Sequence, residues 1–504
     1  MNESSAKLSY RMLCEAVADR AVAIRCRTQL QPAAGPGTKV FPPTHAGGVY
    51  ATEKRRLPDR AEPVDCVLLD SVQSQANRIE DALQEAVDRG LIKIPMLVVE
   101  FGDQIEDVQR VTSLQAPHRA ADAILRDSLV AEKVKEKADD GTEKEIEKSV
   151  PFRKSEIGDA ITNSSIANAT GLYRYCPHAL VLGIWDSTGP KGGLGAKFAR
   201  ALVSEIVGID AVDGVRSRSR IDTLQIGAKS GPIYRRPDGQ WTVDPDEALQ
   251  EEKRGVPTGK AILYRRNKQK ANVTFEPGPL FAREDDTVRK WTYHPKLAKK
   301  VKESVSTVTL HLFNRDETYD IERDLFEADA LANNPPKEGK PSAANHGNVT
   351  PDIKDEDGSP LGGGGTVEYA EHTAVLSLPQ LRRLRFPIDG KLDPKIDDAA
   401  RTVLAALALV GLTLSMERGA DLRSRCLLFP ETALQFELLA TPGKPEAFTL
   451  KSAQAMDLLN QAVDAATKAG LPWETEPVTL TPSPELIALV KKSQDLAKTG
   501  EEGE

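Results

Sequence analysis

A glycine-rich loop between two predicted elements constrains this chain more than any other feature. Residues 179–185 form a short apolar run that predicts a buried strand, and the loop GPKGGLG follows at residues 189–195. In residues 196–208 the apolar side chains recur at helical spacing. Glycines let backbone N–H groups approach a ligand, and a helix N-terminus attracts negative charge. This order predicts a phosphate site, beside which Lys191 and Lys197 add two cations.

The spacing of the loop excludes two common phosphate motifs. It lacks the GxxxxGK[ST] pattern of ATPases and the GxGxxG pattern of dinucleotide-binding folds. Two alternatives stay open. The loop is either a tight connection that needs several positive φ angles, or part of a nucleotide-binding enzyme with an unusual loop.

Composition narrows the class of protein. A chain of 504 residues with 40% hydrophobic and 28% charged residues predicts a soluble protein of two or three domains, or one core with large insertions. The net charge of -8 argues against a wholly basic nucleic-acid coat. Five scattered cysteines without CxxC spacing indicate a reducing compartment and no zinc ribbon. The N-terminus has no apolar signal core, and the longest apolar run, residues 403–414, is too short to span a bilayer. We therefore expect a cytoplasmic protein that is not bound to a membrane.

The hydrophobic pattern predicts an α+β fold with charged or flexible insertions. The predicted helices are 6–20, 71–90 with Ser71 as N-cap, 157–170 and 397–411, and the predicted strands are 21–30, 66–70, 94–101, 306–313, 373–378 and 422–429. A strand–helix pair is predicted at 448–470, and a helix with an acidic tail at 484–504. The charged run 131–148 predicts a solvated, mobile insertion, and 330–366, with its four consecutive glycines, a flexible one.

Several polar and basic segments suit nucleic acid. Gln73, Asn77 and Arg78 lie in the first two turns of the helix at 71–90, where phosphate or base contacts are favoured; ordinary surface polarity is the alternative. Arg423 and Arg425 are expected on the polar face of the strand at 422–429.

A longer basic region follows the glycine loop. Arginines alternate along an extended segment, Pro-Asp-Gly predicts a hairpin turn within residues 233–241, and aromatic residues are interleaved with further cations. Cations that follow a backbone and aromatics that stack on bases are typical of single-stranded nucleic acid binding; a solvated charged loop is the alternative. The residues concerned are Arg216, Arg218, Arg220, Arg235, Arg236, Arg265 and Arg266, with Tyr234, Trp241 and Tyr264.

Catalytic patterns are weak by comparison. The seven histidines show no HxxxH or HExxH spacing, so no metal site is predicted. Cys176 and His178 would share one side of a strand, which permits a thiolate–imidazole pair, although burial is the usual fate of a cysteine. Asp186 beside the glycine loop permits a metal for phosphodiester cleavage, but a loop aspartate more often forms a turn.

Three motifs together resemble a known family. LLDSVQSQANRIE (68–80), STGPKGGLGAKFARALVSEIVG (187–208) and LRSRCLL (422–428) are similar to the backbone subunit of the type I-G (formerly I-U) CRISPR effector complex, a member of the RAMP superfamily. The likeness runs through residues 20–320 and 367–470. Longer charged insertions than the family core needs interrupt it at 131–148 and 330–366.

The resemblance implies an RRM-like (ferredoxin-like) palm with long insertions, one of them a thumb-like β-hairpin. It divides the chain into a first part of the palm (1–320, with insertions at 105–156 and 229–300), a flexible linker insertion (330–366), the remainder of the palm (367–482), and a C-terminal helix with an acidic tail (483–504). Several copies would line up along one CRISPR guide RNA and present it to target DNA. The large subunit and the guide-processing or capping subunit of Cascade are further implied partners.

The same resemblance implies which residues contact the guide. Its phosphates would meet Gln73, Asn77, Arg78, Lys191, Gly192, Gly193 and Lys197, with Arg423 and Arg425 as further contacts. The thumb is placed within 233–270 on charge and turn signals alone. Related backbones of type III complexes cleave RNA with an aspartate, whereas type I backbones are not expected to cleave. We therefore expect no catalytic residue, metal or cofactor; a metal-dependent ribonuclease using Asp186 and a nucleotide-binding enzyme are the alternatives.

Overall fold

The chain forms two compact units. The computed structural model describes residues 6–19, 21–46, 48–137, 143–188, 196–227, 230–253, 256–264, 281–285, 290–293, 307–312, 315–320, 339–353, 362–417 and 419–499. One unit combines Met1–Val215 with Gly362–Glu502, and the other holds Arg216–Leu361.

The α-helices among the described residues all lie in the first unit. They are α1 (Tyr10–Ala18), α2 (Val72–Asp88), α3 (Ala123–Arg126), α4 (Glu156–Thr162), α5 (Thr170–Tyr175), α6 (His178–Leu182), α7 (Leu378–Arg382), α8 (Pro394–Glu417), α9 (Ser452–Lys468) and α10 (Pro484–Thr499).

The strands fall into three runs along the chain. The first run, in the first unit, is β1 (Ala6–Lys7), β2 (Ala23–Pro32), β3 (Thr52–Arg55), β4 (Val64–Asp70), β5 (Leu97–Glu100), β6 (Arg110–Thr112), β7 (Ser128–Lys137), β8 (Glu143–Pro151), β9 (Ile184–Trp185), β10 (Lys197–Phe198), β11 (Leu202–Ile209) and β12 (Val212–Val215). The second run, in the second unit, is β13 (Arg218–Arg220), β14 (Tyr234–Arg235), β15 (Trp241–Thr242), β16 (Gln250–Lys253), β17 (Val256–Ala261), β18 (Phe281–Asp285), β19 (Lys290–Tyr293), β20 (Thr307–Leu312), β21 (Arg315–Asp320) and β22 (Val349–Asp352). The third run returns to the first unit with β23 (Gly362–Thr366), β24 (Tyr369–Ser377), β25 (Ala420–Arg423), β26 (Cys426–Pro430), β27 (Gln435–Thr441), β28 (Lys444–Thr449) and β29 (Val478–Pro482).

A ten-stranded sheet organises the first unit, so the α+β class is confirmed. Its order is β1-β28-β27-β2-β24-β11-β4-β3, and β26 pairs with both β2 and β25. All neighbours are antiparallel except β1 and β28. On β2 the buried residues alternate with polar ones, and two of the polar residues, Arg25 and Arg27, pair with the carboxylates of Glu437 and Glu371 on the neighbouring strands.

One apolar helix forms the centre of the helical layer. Helix α8 packs against α1, α2, α6, α7 and α9, and 17 of its 24 residues are buried. A Cβ atom on Gly411 would lie 2.6 Å from Cγ2 of Ile79, so α8 and α2 approach closely there. Among the residues described, α8 alone is long and apolar enough to cross a membrane, but it is enclosed like the core helix of a soluble protein.

A second sheet corrects the prediction for residues 131–148. Strands β6-β5-β29-β7-β8 form a five-stranded sheet, in which β7 and β8 make a long hairpin. The sequence predicts a mobile insertion for the residues of this hairpin. Lys133 is opposite Glu147, and Glu132 is opposite Lys148. Opposite charges on paired positions stabilise a hairpin, whereas the prediction counted the same charges as a solvated run. Residues 138–142 lie outside the described residues.

Four further predictions are wrong in and around the motifs. Residues 178–182 are helix α6, and the predicted helix from 196 onward is instead β10 and β11. The predicted helix at 157–170 is two short helices, α4 and α5. The predicted strand at 422–429 is a hairpin of β25 and β26, with Arg425 at the turn in the left-handed conformation (φ 62°).

The prediction of a flexible insertion is also wrong for the four consecutive glycines at its end. Gly362–Thr366 is strand β23, which pairs with β12. A Cβ atom on Gly365 would lie 2.8 Å from the carbonyl oxygen of Val212, so these glycines permit a close approach of two backbones.

Among the described residues of the second unit, the strands pair as two-stranded ladders. The pairs are β13–β22, β14–β15, β16–β17, β18–β19 and β20–β21. The predicted hairpin at 233–241 is confirmed by β14 and β15, whose turn contains Gly239 at φ 83°. Strands β16 and β17 continue the predicted basic arm, whereas Arg265 and Arg266 lie outside the described residues.

Candidate nucleic-acid interface

A buried carboxylate joins the first and third motifs. Asp70, at the end of β4, is fully buried. It accepts hydrogen bonds from Nε2 of Gln75 at 2.6 Å and from Nε of Arg78 at 2.9 Å, and Nη2 of Arg423 lies 3.5 Å away. Ser71 caps α2 by accepting from the N–H of Ser74, as predicted. Because α2 begins directly after β4, its first turns bring two of these donors to Asp70.

The charge of Asp70 orders a chain of hydrogen bonds into the sheet. A carboxylate only accepts, so Gln75 presents Nε2 to Asp70 and Oε1 to Ser204, whose hydroxyl donates to it at 2.8 Å. Ser204 has then used its proton, and Nε2 of His372 must donate to the Ser204 oxygen at 2.9 Å. Burial lowers the pKa of His372 to about 4, which keeps the imidazole neutral. This chain links β4, α2, β11 and β24.

These contacts separate the predicted residues of α2 into two groups. Gln73 and Asn77 are exposed at the start of the helix and free to meet a ligand surface. Arg78 is half-buried, and its Nη1 donates to the carbonyl oxygen of Asp421 at 2.8 Å while Nη2 donates to that of Leu422. The Arg78 guanidinium thus holds the β25–β26 hairpin against α2.

The arginines of the third motif also differ. Arg423 is half-buried beside Asp70. Arg425 is exposed, and its guanidinium lies 4.4 Å from the centroid of the Phe41 ring. We call the exposed Gln73, Asn77 and Arg425, with the partly exposed Arg78 and Arg423, the Asp70 patch. Within this patch, the guanidinium groups of Arg78 and Arg423 are held by the buried carboxylate of Asp70.

The flanks of the glycine loop form a short β-ladder. Trp185 is opposite Lys197, and Ile184 is opposite Phe198. Lys197 is exposed, with Nζ 5.2 Å from the centroid of the Trp185 ring. The prediction of a helix N-terminus after the loop is wrong, because strands β10 and β11 follow the loop. The described residues that follow the loop therefore provide no helix dipole to attract a phosphate. Lys191, Gly192 and Gly193 lie outside the described residues.

Asp186, the candidate metal ligand, is bound by an arginine. Nη2 of Arg153 donates to both carboxylate oxygens at 2.8 and 2.7 Å, and the Thr188 hydroxyl and backbone N–H donate to Oδ1 at 3.0 Å. Asp186 is therefore the centre of a turn. In the part of the chain that the structure describes, no three His, Cys, Asp or Glu side chains gather as metal ligands.

Cys176 and His178 do meet, but in the wrong protonation states for catalysis. Sγ of Cys176 lies 3.4 Å from Nε2 of His178, and both residues are buried. Nε2 also lies 3.1 Å from the carbonyl oxygen of Ser113, which can only accept, so Nε2 carries the proton. The unprotonated Nδ1 lies 3.9 Å from Sγ, at the long end of a thiol hydrogen bond. Burial raises the pKa of Cys176 to about 12 and lowers the pKa of His178 to about 3.

The predicted arginines of the second unit differ in their exposure and in their partners. Arg216 is exposed, Nη2 of Arg218 lies 3.6 Å from the Asp352 carboxylate, and Arg220 donates to the Gly347 carbonyl. Arg235 is half-buried on β14. Arg236 is exposed, with Nε 3.7 Å from Asp238.

Sequence reasoning missed the exposure of Trp185. It lies in the apolar run that predicts a buried strand, yet 61% of its surface is exposed. A tryptophan directly before a polar turn and a glycine loop is the signal that was available in the sequence.

Comparison with known protein families finds a match that includes part of the candidate interface. Residues 24–213, less than half of the chain, match a family model described as CRISPR-associated protein GSU0053 (Cas_GSU0053). No curated protein matches the chain. The matched residues include Asp70, the start of α2 and both flanks of the glycine loop. The match shows that residues 24–213 are similar to a CRISPR-associated protein family.

Proposed function

We propose that this chain is a non-catalytic RNA-binding backbone subunit of a type I-G CRISPR effector complex. In this role it oligomerises along the guide RNA and presents the guide for pairing with target DNA. The observation that carries the proposal is the family-model match over residues 24–213, which contains two of the three motifs that resemble such backbones.

The central strands support an RRM-like palm. Four neighbours lie in the order β27-β2-β24-β11, all antiparallel. In the chain, α2 lies between β2 and β11, and α8 lies between β24 and β27. A β-α-β-β-α-β succession with the fourth strand beside the first is the ferredoxin-like arrangement, into which β3, β4 and the second unit are inserted.

Two surfaces of the first unit are suited to RNA. The Asp70 patch offers Arg425 and the amides of Gln73 and Asn77 on a rigid base. The loop flanks offer Lys197 and an exposed tryptophan, and we place the guide phosphates here and at Lys191, Gly192 and Gly193. Cations for the backbone and an aromatic face for a base are what single-stranded RNA requires.

The contacts of Asp186 favour a binding role over the ribonuclease alternative. A metal would have to displace Arg153 from both carboxylate oxygens. The proposal also includes a cytoplasmic location, further copies of the chain, and the large and guide-processing subunits as partners.

Binding of the purified protein to a labelled single-stranded RNA of CRISPR repeat sequence tests the proposal. We expect binding whose logarithmic affinity falls linearly with the logarithm of salt concentration. Lys191→Ala combined with Lys197→Ala should weaken binding to every sequence and flatten that slope. The exposed Arg56 provides the control substitution Arg56→Gln. Tight binding of ATP or GTP without RNA binding would favour the nucleotide enzyme, and cleavage of RNA dependent on a divalent metal would favour the ribonuclease.

A further inference from the structure

A half-buried arginine beside the glycine loop, Arg200, has an enclosed Nε atom without an acceptor among the residues that the structure describes. The arginine stem packs on Gly183, where a Cβ atom would lie 3.0 Å from Cγ of Arg200. Gly183 has a φ of 86°. Glycine is therefore required here both by its backbone conformation and by the space that the Arg200 stem occupies.

The carboxylate whose charge acts on Arg200, that of Glu80, is already paired with Arg119. Both oxygens of Glu80 accept hydrogen bonds from Arg119, at 2.6 and 2.7 Å, and Arg119 also donates to the Gly183 carbonyl at 3.0 Å. Burial and the charge of Arg119 lower the pKa of Arg200, and Glu80 opposes them. Arg200 is half-buried, and removing part of a cation from water is costly, so an anion that reaches the exposed part of Arg200 from outside the chain would be stabilising.

An aromatic face and a second cation lie on the same ladder. Trp185 is two residues after Gly183, about 7 Å along an extended chain, which is the scale of one nucleotide step. Lys197, opposite Trp185, has Nζ 5.2 Å from the ring centroid, and 61% of the Trp185 surface is exposed. An exposed tryptophan beside Lys197, two residues after the glycine on which Arg200 packs, matches the chemistry of a nucleotide, with a base for the ring and phosphates for the cations.

We propose that Trp185, Lys197 and Arg200 form a binding site for one nucleotide of single-stranded RNA, with the base stacked on Trp185 and the adjacent phosphates at Lys197 and Arg200. This inference rests on the proposed RNA-binding function and deepens it. The site uses only the described flanks of the glycine loop, and it recognises a base by its face, so it tolerates any sequence.

Two matched pairs of variants test the site. Trp185→Leu keeps apolar bulk and removes the aromatic face, whereas Trp185→Phe keeps a face. We expect Trp185→Leu to weaken binding of a labelled single-stranded RNA by about 5- to 100-fold, the loss of one base–aromatic stack, and Trp185→Phe to stay within a few fold of wild type. Arg200→Gln should lower the salt slope by about 0.7, the value for one single-strand phosphate, while Arg56→Gln leaves it unchanged.

Intrinsic fluorescence separates stacking from a structural effect. RNA should quench the tryptophan fluorescence of the wild type, and the quenching should be largely lost in Trp185→Phe although that variant still binds. If the wild type binds RNA and neither Trp185→Leu nor Arg200→Gln differs from it, this inference is overturned and the proposed function stands. If the wild type does not bind single-stranded RNA at all, both are overturned.

Discussion

Arg78 donates from Nε to the fully buried carboxylate of Asp70 at 2.9 Å, and with its two Nη atoms to the backbone carbonyls of Asp421 and Leu422. One guanidinium thus joins the end of β4, the start of α2 and the β25–β26 hairpin. The resemblance assigns Arg78 to guide phosphates, but most of its hydrogen-bonding capacity is used within the protein. Its first role is to hold the Asp70 patch in shape.

Removing Arg78 should therefore destabilise the protein. In Arg78→Ala the Asp70 carboxylate keeps only Gln75 and Arg423 as partners. We expect the free energy of unfolding to fall by about 2–3 kcal/mol. The loss should be smaller than for a fully buried ion pair, because Arg78 is partly exposed. Asn77→Ala, one residue away and exposed, should change it by less than about 0.5 kcal/mol. Urea denaturation measures both. Equal stability of the two variants, with RNA affinity lost only in Arg78→Ala, would make Arg78 a ligand residue instead.

The glycine run of β23 provides a second test of stability. We expect Gly365→Ala to cost about 1–3 kcal/mol, because the new Cβ atom would lie 2.8 Å from the Val212 carbonyl oxygen on β12. Gly362→Ala is the control, since nothing lies within 4 Å of its Cβ position. Thermal unfolding of the two variants compares them directly. A flexible linker in this segment would make both substitutions harmless.

His372 should make the protein less stable in mild acid. Its pKa is about 4 in the folded chain and about 6.5 when unfolded, so between these values only the unfolded state binds the proton. Stability then rises with pH, by about 1.4 kcal/mol per pH unit for one group. The variant His372→Gln has no imidazole at this position, so its free energy of unfolding lacks the pH dependence that His372 contributes. The free energy of unfolding of the wild type, measured relative to that of the variant, should fall as the pH is lowered from 6.5 toward 4. An unchanged difference over this range would mean that His372 is protonated in the fold.

The cysteines should differ in reactivity. Cys14 is partly exposed, whereas Cys26, Cys66, Cys176 and Cys426 are buried. Burial raises the pKa of Cys176 to about 12 and that of Cys26 to about 11, and thiols react as thiolates. We expect a thiol reagent to modify Cys14 rapidly in the native protein and all five cysteines after unfolding. Rapid native modification of Cys176, identified by mass spectrometry, would point to a reactive pair with His178 and reopen a catalytic role.

Caps and hydrophobic spacing in the sequence predict several elements of the first unit correctly. Helix α2 follows from the Ser71 cap, the apolar spacing and Gly90, and the structure has it at Val72–Asp88. Strand β24 and helix α8 follow from alternation and from a long apolar run in the same way.

The predictions failed where distant partners decide the structure. Phe198, Leu202 and Ile206 are spaced by four, which suits one face of a helix and also one face of a strand. Pairing with β24 and β4 makes residues 202–209 a strand. The same holds for the Asp70 patch, because Arg423 is more than 350 residues from Asp70 in sequence. No local pattern in the sequence predicts that contact.

The central claim is that this chain holds a CRISPR guide. The most direct test is to co-express it with its partner proteins and a CRISPR array, purify it through moderate salt, and sequence the RNA that remains bound after nuclease treatment. The account predicts discrete RNA of repeat–spacer composition, protected in evenly spaced units. Protein without RNA, or random RNA that is lost at moderate salt, would contradict it.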